Sequence, residues 1–232
     1  MKNTLLKRIL YTVFTAVNTA LLYLFLLQLP FGVDALSFSL RHWSKFSPRI
    51  EFAAIISIAI AITTLILVRY LDGEWKSRLV YFRHQFAQPG YRAFFGGRDP
   101  GFDRRPLEKA YPEVRDSAYN PQVQLRVWTR LYKKHANASL VIGTYHSWVL
   151  LRDLYLISLV FLIAFLLAWP LNFGVPAVLV LSYIFIFGAQ FLFLMFSARG
   201  TGSRLECNVL AEALAIKPAA ARKVKKRKAT GR

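Results

Sequence analysis

Residues 154–198 read LYLISLVFLIAFLLAWPLNFGVPAVLVLSYIFIFGAQFLFLMFSA, and no charged side chain occurs between Asp153 and Arg199. As one helix rising ~1.5 Å per residue, this run would be about twice as long as a ~30 Å hydrocarbon core requires. Pro170-Leu171-Asn172-Phe173-Gly174, followed by Pro176, divides it. The stretch therefore predicts a tight hairpin of two transmembrane helices, 154–169 and 175–198, joined by a turn over 170–174.

Two more apolar runs lie toward the N-terminus. Residues 9–29 contain no charge, and residues 50–68 contain only Glu51, at the very start. Lys2, Lys7 and Arg8 precede the first run as they would in a secretory leader. That run is about twice the length of a leader's apolar region, and Leu27-Gln28-Leu29-Pro30-Phe31 offers no small-x-small cleavage site, so it predicts a retained anchor. Four spans also account for a composition that would be contradictory in a soluble domain: 55% hydrophobic residues beside 31 Lys+Arg and 12 Asp+Glu, a net charge of +19. The apolar content excludes whole-chain disorder. Cys207 is the only cysteine, which excludes disulfide scaffolds and cysteine-based metal fingers.

The cations set an orientation. Of the 31 Lys+Arg, 28 fall in the N-terminal stub 1–8, the long segment 69–153 or the region after Ala198. The loop 30–49 carries only Arg41, Lys45 and Arg49, and the turn 170–174 carries none. Positive-inside asymmetry near the span ends predicts a bacterial inner-membrane protein with both termini and residues 69–153 cytoplasmic, and with 30–49 and 170–174 extracytoplasmic. The expected fold is an all-α membrane protein: four transmembrane helices as two hairpins, flanking a small, mainly helical cytoplasmic domain.

Polar residues within the spans are few. Thr12, Thr15, Asn18 and Thr19 form one stripe on the first helix, and Ala54, Ser57, Ala61 and Thr64 form a small-residue ridge on the second. Such residues let helices approach closely and hydrogen-bond across the interface. The alternative is a stripe lining a water-filled pore in an oligomer, since four helices per chain enclose a channel poorly. No ionisable residue lies at mid-membrane, which argues against ion-coupled transport.

In the cytoplasmic segment, the second helix is expected to continue past the bilayer to about Phe86, where Gln88-Pro89-Gly90 stops it. Pro121 occupies the position of a first helical residue, and 122–135 alternates an apolar side (Val123, Leu125, Val127, Trp128, Leu131, Tyr132) with a basic one (Arg126, Arg130, Lys133, Lys134). Ser139 opens a helix that feeds into the third span. After the fourth span, Gly200 and Gly202 are expected to break the helix. A cytoplasmic amphipathic helix within 199–218 follows, with Leu205, Val209, Leu210, Ala213 and Leu214 on its apolar side. Lys217-Pro218 should end it. The remainder, 219–232, contains Lys223, Lys225, Lys226, Arg227 and Lys228 and no acid, and is expected to be a disordered basic tail.

No catalytic, cofactor or metal site is predicted. Asp99, Asp103, Glu108, Glu113 and Asp116 lie close in sequence, with His84, His135 and His146 elsewhere in the segment, but no ligand spacing is present. Each carboxylate has an arginine or lysine nearby, so ion pairing is the better account. Gly96-Gly97-Arg98-Asp99-Pro100-Gly101 lacks the flanking strand and Lys-Ser/Thr of a phosphate loop. No Gly-x-Ser-x-Gly context marks a nucleophile.

The surplus of cations suits anionic lipid, an anionic ligand or protein partner, or, more weakly, nucleic acid, for which no binding motif is visible. Two helical hairpins flanking a small basic domain resemble, in arrangement alone, the small membrane effectors of bacterial anti-phage systems. The expected function is a non-enzymatic, self-associating membrane protein whose basic domain senses a partner or anionic ligand and whose helices perturb or organise the bilayer. An anchor tethering nucleic acid or a soluble complex is the alternative. A membrane-embedded enzyme using Asp99, Asp103 or His146 is more remote.

Overall fold

The computed structural model describes the backbone of residues 2–41, 43–94, 105–171 and 174–229; side chains at 2–4, 40, 43–47, 107–108, 171 and 215–229 lie outside the description. Among the described residues the chain is helical, without strands: α1 Lys2–Leu26, α2 Val33–Arg41, α3 Trp43–Tyr70, α4 Gly73–Tyr81, α5 Arg105–Ala110, α6 Pro112–Asp116, α7 Pro121–His135, α8 Ser139–Leu171 and α9 Ala177–Ala229. Four stretches are long and apolar enough to cross a membrane: Leu5–Leu26, Pro48–Tyr70, Ser139–Pro170 and Ala177–Leu214.

The chain divides into two compact units. Residues 1–76 and 150–196 form the first, and 77–149 and 197–232 the second. In the first, α1, α8 and α9 meet around aromatic rings. Phe25 packs edge-on to Phe165 with centroids 4.7 Å apart and to Tyr183 at 5.3 Å, and Phe165 stacks on Phe187 at 5.4 Å. These rings are almost fully buried, and each such pair adds about 0.5–1.5 kcal/mol beyond its buried area. Helix α3 buries one face only, through Ile50, Ala53, Ser57, Thr64 and Val68; Phe52, Ile55, Ile58, Ile62 and Ile66 stay exposed.

Helix ends are closed by the local backbone. At the end of α1, Gln28 takes a left-handed φ of 60°, its N–H donates to Phe25 O (2.9 Å), and the Leu29 N–H donates to Leu24 O (3.0 Å). This Schellman closure satisfies two carbonyls that the helix cannot. The same pattern closes α6 at Ala118, with φ 50°. Asn120 caps α7, its side chain accepting from the Gln122 N–H at 2.9 Å, and Pro121 stands at the first helical position as expected.

The structure departs from sequence expectation at two glycine-containing junctions. Helix α3 stops at Tyr70 and does not run on to Phe86. Asp72 starts α4 instead: its carboxylate accepts from the Gly73 N–H (2.7 Å), and its carbonyl accepts from the Lys76 N–H (3.1 Å). Conversely, α9 does not break at Gly200 and Gly202. A Cβ at Gly202 would collide with the Tyr81 hydroxyl and crowd the Trp148 indole, so glycine permits close packing there while the helix continues. Helix α9 also continues past Lys217-Pro218, where a stop was expected, to Ala229.

The second unit has its own core of Ala93, Phe94, Val114, Val127, Trp128, Leu131, Val141, Trp148, Leu205, Val209, Leu210 and Ala213. The predicted apolar sides of α7 and of the 205–214 segment both contribute to it. Gln124 is 2% exposed and bridges this core, accepting from the Phe94 N–H at 3.1 Å while its amide donates to Tyr119 O.

Candidate functional site

Two arrangements of charge stand out, one in each unit. In the first unit, Asp153 is buried at the point where α8 enters its apolar run. Its Oδ2 accepts from the Tyr11 hydroxyl at 2.9 Å, and its Oδ1 lies 3.2 Å from Lys76 Nζ and 3.4 Å from Arg152 Nη2. Lys76 Nζ also donates to Val68 O, and Arg152 Nη1 reaches Gly73 O at 3.4 Å. One carboxylate thus ties together α1, the C-terminal turn of α3, the start of α4 and α8. The ammonium on Val68 O neutralises one of the last carbonyls of α3, where a cation also opposes the helix dipole. Charges so placed are stable only when every partner is present. In the sequence, Lys76 and Arg152 are two of the cations of segment 69–153 that set the orientation, and Asp153 is only the boundary of an uncharged run. The available signal was an acid standing at the last charged position before 45 uncharged residues.

In the second unit, α7 divides as its sequence predicts. Val127, Trp128 and Leu131 are buried, together with Gln124 and His135, while Arg126, Arg130, Lys133 and Lys134 are exposed. Trp128 and Tyr132 stack at 5.4 Å and 13°, giving the helix a rigid aromatic underside. Arg130 meets Glu113 at 3.2 Å, an exposed pair worth little. Among the described residues, Arg126, Lys133 and Lys134 make no ion pair, leaving their charge available.

Elsewhere in this unit, Arg199 donates to Val80 O at 2.8 Å and lies over the Phe82 ring at 5.4 Å. Glu206 accepts from the Gly90 N–H at 2.6 Å. Burial, and then the negative charge of Glu206, raise the Tyr81 phenol well above its ordinary value, and burial raises Tyr132 in the same direction.

The polar stripe on α1 turns largely inward. Thr15 and Asn18 are buried, Thr19 is half-buried and Thr12 is exposed. Thr12, Asn18 and Thr19 each donate to the carbonyl four residues back, and Gln190 of α9 donates to Asn18 Oδ1 at 3.2 Å. On α3, Ser57 and Thr64 are buried and Ala54 and Ala61 half-buried. The Thr15, Ser57 and Ser158 hydroxyls are buried without a hydrogen-bond partner among the described residues.

Asp99 and Asp103 lie outside the described residues, as do the glycine-rich stretch 96–101 and the side chains of Glu108, Lys223, Lys225, Lys226, Arg227 and Lys228. Among the described residues no group of three or more His, Cys, Asp or Glu side chains is placed to hold a metal. His135 is buried beneath α7, and His146 packs near Tyr145.

Together, the fold and these charges define a helical multi-pass membrane protein. Comparisons with protein-family models, curated proteins and solved structures gave no match, so this class rests on the chain's own residues.

Proposed function

We propose that this is a non-enzymatic protein of a bacterial inner membrane, built as two membrane hairpins, with both termini and the second unit on the cytoplasmic side. In this reading it self-associates in the bilayer, and the second unit receives an anionic ligand or protein partner whose arrival changes how the helices perturb or organise the membrane. An effector of a bacterial defence-type system is the most concrete form of such a protein. The orientation is supported by 28 of 31 cations falling in segments that would share one side.

The observation that carries the reading is the division of α7. Its apolar side is anchored in the core, so Arg126, Lys133 and Lys134 are held outward in fixed register without intramolecular partners among the described residues. Each cation so held is worth roughly 1 kcal/mol against an anionic surface.

Two measurements test it. Light scattering of the full chain in detergent should give a mass above that of one copy; a monomer under all conditions overturns self-association. Lys133→Glu with Lys134→Glu should abolish binding of a polyphosphate probe without changing membrane insertion, and unchanged binding overturns the role of α7.

A further inference from the structure

In the first unit, α1, α3 and α8 do not close on one another. They leave an apolar groove of about 930 Å³, walled by Leu26, Phe52 and Ile56 on one side and by Val160, Ala164 and Leu167 on the other. Gln28, which follows α1, and Arg49, at the start of the α3 span, also line it, together with Ala168 near the end of α8. These three positions fall at the same end of their helices' apolar stretches, so the groove is polar at one end and hydrocarbon-like along the rest.

Its dimensions select an occupant. From Arg49 to Thr63, α3 advances ~21 Å at ~1.5 Å per residue. That length suits an extended hydrocarbon chain: it exceeds the ~15 Å half of a ~30 Å hydrocarbon core by about 6 Å, room for one leaflet's acyl chain with its glycerol. Charge points the same way. Glu51 is two residues beyond Arg49, about 200° around the helix, and does not line the groove. The groove's mouth therefore presents a guanidinium, whose planar donors match phosphate oxygens.

We propose that this groove binds an anionic phospholipid, with acyl chain between α3 and α8 and headgroup phosphate on Arg49. The proposal rests on the helices spanning a bilayer and is independent of the role given to α7.

The test is native mass spectrometry of the full chain released from nanodiscs containing equal phosphatidylglycerol and phosphatidylethanolamine. The wild-type protein should retain phosphatidylglycerol in preference. Arg49→Gln, an exposed change that leaves the packing intact, should lower that preference roughly fivefold, the factor one cation contributes at an anionic surface. Ala164→Phe should fill the groove and lose the lipid of either headgroup, whereas Leu181→Phe, on an exposed face of α9 outside the groove, should retain it. Equal retention of both lipids by the wild type, or an unchanged preference in Arg49→Gln, overturns the proposal. So does an Ala164→Phe protein that keeps its lipid but loses a copy from its oligomer, because the groove would then seat a second chain. Charge reversal on α7 should leave lipid retention unchanged, which separates failure here from failure of the function proposed above.

Discussion

The Lys76 ammonium lies 3.2 Å from the Asp153 carboxylate, with the two side chains only 7% and 8% exposed. A pair so deeply placed is a commitment to one arrangement of α1, α3, α4 and α8. Removing either partner strands the other charge, which costs far more than the pair contributes.

Asp153→Asn should therefore lower stability by about 3–5 kcal/mol, because the buried Lys76 ammonium loses its counter-charge. The double substitution Lys76→Met with Asp153→Leu should cost clearly less than the sum of its single changes. Thermal unfolding of the four proteins in one detergent measures the coupling, and additive losses would show that the pair does not act as a unit.

Glycine has opposite roles about half a turn of α9 apart. Gly202→Ala places a methyl against Tyr81 and Trp148 and should destabilise the second unit by about 1–3 kcal/mol. Gly200→Ala meets nothing within 4 Å and removes a poor helix former, so it should stabilise by up to ~1 kcal/mol. Equal effects of the two substitutions would contradict the packing described.

Gln190 and Asn18 join α9 to α1 through an amide pair in apolar surroundings. Across a double-mutant cycle of Asn18→Ala and Gln190→Ala the coupling should be about 0.6–1.7 kcal/mol, the range for such bonds between membrane helices. A coupling of zero would leave Asn18 bonded only within its own helix.

The phenol of Tyr81 is raised by burial and by Glu206. Above about pH 10, the ordinary tyrosine value, the unfolded chain has lost a proton that the folded one retains. Stability from this group is thus complete below that pH and declines as pH rises beyond it. Unfolding temperatures measured between pH 8 and pH 11 should fall less steeply above pH 10 in Tyr81→Phe than in the wild type. Parallel curves would count against this placement of Tyr81.

The spans and α7 were legible because their signals are local: an uncharged run, a proline at a helix start, an apolar side alternating with a basic one. What was not legible depends on residues distant in the chain. Asp153 meets Tyr11 and Lys76, separated from it by 142 and 77 residues, and no spacing rule links such positions. Gly202 reads locally as a helix breaker, and only Tyr81 and Trp148 reveal it as a packing residue. Gln124 falls on the apolar side of α7, where a polar residue looks out of place until the Phe94 and Tyr119 backbone groups are brought to it. At Asp72-Gly73 the break was marked locally, by a capping carboxylate followed by a poor helix former.

The one-sided burial of α3 also bears on how this chain can vary over time. Its outward positions Ile55, Ile58, Ile62 and Ile66 touch little, so exchange among isoleucine, leucine, valine and phenylalanine should be nearly free there. Ser57 and Thr64 are fully buried against the other helices, and drift at those sites should be confined to alanine, glycine, serine and threonine. A single helix would then carry two rates of change, one set by hydrophobicity and the other by volume.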